Sequence, residues 1–204
     1  MYTPNLLSTN VDSKFGITIR KVFIMQKMAE FSRVSYSQFR KDWIDTFPEI
    51  TDGSILTEEE VNRHIRSIYN SIKLPKRATM QSAGYDFFAP MSFTLEPDES
   101  IKIPTGIRCE MYDGWVLMEF PRSGHGFKYG MSMANTVGII DGDYAYSDNE
   151  GHIFIKLVND SSLAKNVRIN AGDAFCQGIF VPFGITLDDN VTEERNGGLG
   201  STGR

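Results

Sequence analysis

Asp141 and Asp143 flank a glycine at the end of an apolar run, in the stretch GIIDGDY from Gly138 to Tyr144, and an aromatic follows at once. A carboxylate fixed at a strand end can orient and partly deprotonate a water. A ring beside it can sort a flat ligand. Asp-Gly-Asp is more often plain turn chemistry, so the pattern gains weight only from its company. Arg122, Ser123 and Gly124 follow directly on the apolar run WVLMEF. A guanidinium, a hydroxyl and accessible backbone N–H groups are what a phosphate accepts, although a Ser-capped turn with a surface Arg uses the same residues. Gln177 falls inside the apolar run AFCQGIFVPF, and Asp86 sits among aromatics in AGYDFFAP, two residues after Gly84. A buried amide has to be hydrogen-bonded, as a core strut or as a ligand contact. The last island, RNGGLGSTG from Arg195, is too rich in glycine to build a core. It supplies an Arg, hydroxyls and N–H groups that can wrap a polyphosphate, where a plain linker is the other reading.

These residues need a frame. From Lys76 onward, short alternating runs are broken by Gly, Pro and Asp: YDFFAP, FTLEP, IKIPTGIRCEM, WVLMEF, HIFIKLV, VRIN and AFCQGIFVPF. Strands at such spacing, without long helical patterns between them, predict an all-β sandwich or barrel. Ile153, Ile155 and Leu157 alternate with Phe154, Lys156 and Val158. With the run ending at Asp141 they predict a β-hairpin whose first strand ends in acid. Upstream the texture is helical. Ser35 with Gln38, and Thr57 with Glu60, have capping-box spacing. Phe39, Trp43 and Phe47 form one apolar stripe; Val61, Ile65, Ile68 and Ile72 form another. Helices are expected over about 35–47 and 58–72, with Pro48 and Pro75 as stops. Residues 1–73 are thus read as an N-terminal extension carrying a helical hairpin. Residues 74–204 are read as the β domain, with a glycine-rich arm over 195–204. The hairpin is expected to pack on the protein's own core; a partner-binding helix pair is the other use of such an element. Residues 1 to about 30 carry little pattern.

The bulk numbers narrow the classes. The 204 residues are 41% hydrophobic and 23% charged, with a net charge of −5, which suits a globular chain and disfavours wholesale nucleic-acid binding. No apolar run approaches the roughly 20 residues of a membrane helix. The first 30 residues lack a basic start, an apolar core and a cleavage site in that order, so no signal peptide is expected. Cys109 and Cys176 are the only cysteines, which suits a reducing compartment and offers no disulfide framework. His64, His125 and His152 have no metal-ligand spacing. A cytoplasmic protein acting on small molecules, with no membrane and no direct nucleic-acid partner, is the expectation.

The five polar islands, in this order and with the last at the chain end, resemble the five motifs of the trimeric dUTP pyrophosphatases (dUTPases). The resemblance covers about Leu74 to Arg204. It implies a jelly-roll-like β-barrel, a homotrimer whose sites draw on all three chains, and hydrolysis of dUTP to dUMP and pyrophosphate with Mg2+. Asp141 matches the general base for water attack on the α-phosphorus. Tyr144 matches the aromatic that packs on the deoxyribose and leaves no room for a 2′-hydroxyl. Uracil is expected to be read by backbone groups along the hairpin, at Gly138 and Ile140. Arg122, Ser123, Gly124 and Gln177 match phosphate binders, and Asp86 matches the carboxylate that holds the metal's water shell. Arg195, Gly200, Ser201 and Thr202 match the arm that closes over the γ-phosphate. Three departures stand out. Leu199 occupies the place of a uracil-stacking Phe, AYSDNE over 145–150 is longer than the usual connection, and His125 replaces a small or aliphatic residue. Two other readings use the same scaffold: a dCTP deaminase-like enzyme, and a non-catalytic nucleotide-sensing or partner-binding protein.

Overall fold

The computed structural model describes residues 26–52, 56–160, 164–193, 195 and 197. In chain order the elements are β1 (Ala29–Arg33), α1 (Tyr36–Thr46), α2 (Glu58–Ser71), β2 (Lys76–Arg77), β3 (Tyr85–Phe88), β4 (Phe93–Leu95), β5 (Ser100–Pro104), β6 (Ile107–Met111) and β7 (Trp115–Pro121). They continue with α3 (Ser123–Tyr129), β8 (Met131–Met133), β9 (Gly138–Ile140), β10 (Phe154–Asn159), β11 (Val167–Ile169) and β12 (Ala174–Pro182). The seven alternating runs of the sequence all become strands. β1, which was not read from the sequence and begins where the patternless stretch ends, pairs with β6.

Every strand pairing is antiparallel. The largest sheet has the order β2-β3-β12-β7-β9, and a second has β5-β10-β8. The predicted hairpin is therefore not one. β9 pairs with β7, and β10 pairs with β5 and β8. Alternation marks a strand and its buried face but does not name its neighbour. The buried face itself is as expected, with Ile153, Ile155 and Leu157 fully enclosed. One core cluster joins these to Phe87, Leu117 and Phe175. In β12 a register irregularity between Ala174 and Cys176 lets two neighbours, Phe175 and Cys176, both point inward. That is what a bulge permits. It returns Gln177 to the face it shares with Asp86, its partner in register.

The two helices start where their caps say. Ser35 Oγ accepts from Gln38 N–H at 3.1 Å, and Thr57 with Glu60 forms a complete capping box. Their apolar stripes meet in a second cluster of Val34, Phe39, Trp43, Val61 and Ile65, with Ile72 touching both clusters. The β domain makes room for them at Gly106. This residue has φ +74, and a Cβ there would lie 2.3 Å from Ile72 Cδ1 and 3.2 Å from Phe39 Cδ2. Burying one such side chain stabilises by roughly 1.5–3 kcal/mol, so the helix pair is packed on the protein's own core.

Candidate active site

The phosphate-type residues gather at one end of β7. Asp86 on β3 and Phe120 on β7 both stand opposite Gln177 on β12, and directly opposed residues share a face. Arg122, just past β7, reaches back along that row. Its Nε lies 3.2 Å from Asp86 Oδ1, and its Nη1 donates to Ala174 O at 3.3 Å. Gln177 Nε2 donates to Pro121 O at 3.3 Å. Gly84 leaves the space for that amide, since a Cβ there would be 2.8 Å from Gln177 Oε1. Ser123 and Gly124 open helix α3 and are exposed. The sequence reading offered a polar island or a Ser-capped turn here, not a helix. N–H groups in the first turn of a helix have no intrahelical acceptor, and nothing lies within 4 Å of a Cβ built on Gly124. Arg122, Ser123, Gly124, His125 and Lys128 together line a depression of about 350 Å³. Burial first, and the Arg122 charge second, hold His125 below its ordinary pKa.

The nucleoside-type residues gather at the other end. Ile140 pairs with Leu117, and the chain then leaves β9 through Asp141 into a 3-10 turn over Gly142–Tyr146. Asp141 is half-buried and Asp143 exposed. Arg195 Nε donates to Asp143 Oδ1 at 2.8 Å, and its Nη2 donates to Asp141 Oδ2. The guanidinium carbon also lies 5.8 Å from the centre of the Tyr144 ring. Tyr144 is buried, with its hydroxyl donating to His152 O at 2.7 Å. Burial pushes its pKa upward. Leu199, Gly200, Ser201 and Thr202 lie outside the described residues.

Two features of this end were not read from the sequence. Glu119, inside the apolar run WVLMEF, points inward and is wholly buried. Neither carboxyl oxygen has a partner among the described residues, and burial pushes its pKa up to about 8. It explains Gly138. A Cβ on Gly138 would lie 2.9 Å from Glu119 Oε2 and 3.0 Å from Glu119 Cβ. The second feature is support for the 141–153 loop from far upstream: Ser35 and Asp42 of the first helix both hydrogen-bond it. The only sequence signal was negative, a loop longer than its motif needs.

The two ends are separated. Asp141 stands one residue past Ile140, the partner of Leu117, and Arg122 lies five residues beyond Leu117 in the opposite direction. At about 3.3 Å per residue that is about 20 Å along the strand. Within one chain Arg122, Asp86 and Gln177 come together, as do Asp141, Tyr144 and Arg195. The two groups do not meet.

A metal for this site has to suit its donors. Among the described residues no three His, Cys, Asp or Glu side chains converge. The Asp86 carboxylate beside the Gln177 amide fits a hard cation that arrives on phosphate oxygens and keeps its waters.

A family model described as dUTPase matches residues 70–203. A deoxyuridine 5′-triphosphate nucleotidohydrolase of Lactococcus lactis subsp. lactis is 42% identical over 135 residues, 65% of this chain and 89% of that one. Its counterpart in Desulfitobacterium hafniense is 38% identical over 139 residues, 64% and 87% of the two chains. Among solved structures, the Streptococcus mutans dUTPase superposes with a TM-score of 0.50 at 37% identity, covering 57% of this chain and 90% of that one. The mainly β, jelly-roll-like architecture expected from the sequence is shared with these structures.

Proposed function

The chain belongs to the dUTPase family and is a dUTP diphosphatase, and from that premise we propose how its residues divide the work. Asp141 is the general base: it orients a water for in-line attack on the α-phosphorus and takes its proton, giving dUMP and pyrophosphate. Gly138 and Ile140 read the uracil through backbone groups, and Tyr144 packs against the deoxyribose. Arg122, Ser123, Gly124 and Gln177 bind the phosphates. Charge neutralisation and positioning carry most of such a reaction. Mg2+ bound to the phosphates would withdraw charge from them, with Asp86 and Gln177 holding its water.

Arg195 has a second task. In the free protein its guanidinium sits on Asp141 and Asp143. A triphosphate competes for the same cation. Moving Arg195 to the phosphate, with Gly200, Ser201 and Thr202 closing behind it, leaves Asp141 free to accept a proton. Leu199 then covers the base with apolar surface in place of a stacked ring.

The observation that carries the assembly is the separation along β7. A base at one end and phosphate binders about 20 Å away cannot surround one phosphorus atom in a single chain. Asp141 of one copy facing Arg122 of another can, and this supports a homotrimer with shared sites. Pyrophosphate release from dUTP, dCTP and dTTP tests the reading: fast release from dUTP alone is expected. Deamination of dCTP, or binding without turnover, overturns it.

A further inference from the structure

Helix α1 precedes residue 70, where the family match begins, yet it is bonded to the loop that carries the nucleoside contacts. Asp42 Oδ2 lies 2.5 Å from His152 Nδ1, and the imidazole is completely enclosed. Gly106 N–H donates to His152 Nε2 at 2.7 Å. The ring proton is therefore on Nδ1 and is donated to Asp42. Gln38 Nε2, one helical turn earlier, donates to the same Asp42 oxygen at 2.8 Å. At the start of the helix, Ser35 N–H and Ser35 Oγ each donate to the Glu150 carboxylate at 2.6 Å.

The contacts continue inward. Tyr144 Oη donates to His152 O at 2.7 Å, and Asn149 Nδ2 donates to Tyr144 Oη at 2.8 Å. Gly151, with φ +69, lets the loop close on itself, since a Cβ there would be 2.5 Å from Ala145 Cα. His152 thus holds Tyr144 through its carbonyl, while its ring is held by Asp42. The Asp42–His152 bond is charge-assisted and shielded from water, so its loss leaves a buried N–H without an acceptor.

We propose that Asp42 is a positioning residue for sugar selectivity: through His152 it fixes the Tyr144 ring against which the deoxyribose packs, and so helps to exclude ribonucleotides. This rests on the role of Tyr144 given above. Asp42 is bonded to His152 and Gln38 and takes no part in the substrate contacts proposed above. Its loss therefore acts on discrimination and KM, with the kcat for dUTP staying within about twofold, because the proton-transfer partner Asp141 is unaltered.

The experiment compares kcat and KM for dUTP and UTP in the full-length wild type, Asp42→Ala, Asp42→Asn and Tyr144→Ala. A pocket that rejects an added hydroxyl by shape discriminates by about 100-fold, and partial release of the ring should lower the dUTP-over-UTP ratio about tenfold in Asp42→Ala. Asp42→Asn keeps an acceptor for His152 and should lose only about threefold. Tyr144→Ala should abolish most of the discrimination. A ratio unaffected by Tyr144→Ala removes the reading of Tyr144 itself. A ratio lowered by Tyr144→Ala but equal to wild type in Asp42→Ala overturns the proposal and leaves Asp42 as a fold-stabilising residue. If Asp42→Ala gives no folded protein, the Asn variant decides alone, and a wild-type ratio in it overturns the proposal.

Discussion

The two ends of β7 solve the same positioning problem by different routes. At the phosphate end, Asp86, Gln177 and Arg122 stand on or just past neighbouring strands and are aligned by backbone register. Their supports lie in the same sheet, and one glycine, Gly84, clears the space. At the nucleoside end, Asp141 and Tyr144 have left the sheet. They hang on a loop whose anchors come from Ser35, Asp42 and Gly106. A sheet row is rigid through its own backbone register. A loop has to borrow rigidity, and here it borrows from a helix that the family match does not include. The phosphate end should therefore tolerate changes elsewhere in the chain, while the nucleoside end should answer to changes more than 100 residues away.

The largest expected effect lies at the nucleoside end. Asp141→Asn keeps size and hydrogen bonding but cannot take a proton, so kcat for dUTP should fall by roughly 10²–10⁴-fold with substrate binding retained. Single-turnover kinetics beside an analogue titration separates the two quantities. Wild-type turnover would remove Asp141 from the mechanism. At the phosphate end Arg122→Ala should act on binding instead. A charged hydrogen bond is worth about 1.5–3 kcal/mol, which predicts a KM for dUTP raised about 10–100-fold. A change confined to kcat would contradict the division of labour between the two ends.

Two groups at the nucleoside end should answer to pH in opposite directions. Burial holds the Glu119 carboxyl at about 8 in the folded protein, against about 4.3 for a free Glu. The folded state then holds the proton more tightly than the unfolded state, so stability falls as pH rises from about 4.5 to 8 and is level above that. The loss is on the order of 5 kcal/mol. Glu119→Gln should flatten Tm between pH 5 and 8. A slope unchanged in the variant would place the proton elsewhere. Asp42 runs the other way. Burial alone would raise its pKa, but the hydrogen bonds from His152 and Gln38 outweigh that and bring it below the usual value. Its contribution is present above the ordinary carboxylate range and is lost as pH falls through the lowered value, so the helix–loop clasp should open only in acid. The smallest effect is at the helix start. Glu150→Ala removes acceptors from Ser35 and should cost about 1 kcal/mol, seen as faster amide exchange in the first turn of α1 with the β3–β12 row unchanged.

The same contrast governs what the sequence could tell. Alternation marked the seven strand runs, and cap residues placed both helices to within a residue of their observed ends. The phosphate group was readable because motif residues on adjacent strands need only register to meet. The nucleoside end was readable in its residue types but not in its supports. The period of two that marked Ile153, Ile155 and Leu157 could not say that β9 would join β7 and not β10. Ser35 and Gln38 had the spacing of a capping box, yet only half of it forms. Glu150 takes the reciprocal place at Ser35, and Gln38 turns to Asp42. Partners 110 positions apart, such as Asp42 and His152, leave no periodic trace. Two glycines argued against a helix at Ser123–Tyr129, and the short helix ends in a left-handed Gly130 cap. Glu119 was hidden by its apolar neighbours, since an acid in a strand is ordinarily assigned to the wet face.

The central claim is that the two ends of one β7 serve different active sites in an assembly of copies. Mixing Asp141→Asn protein with Arg122→Ala protein tests it most directly. Each parent lacks one half of every site. If Arg122 of one copy works with Asp141 of another, random exchange restores both halves in about one quarter of the sites of a symmetric oligomer. Measured well below the KM of the Arg122→Ala parent, where that parent is nearly idle, dUTP hydrolysis in the mixture should rise to about that fraction of wild type. Activity no greater than the sum of the parents, with mixed oligomers confirmed by native mass spectrometry, would contradict the account and return both halves of the chemistry to a single chain.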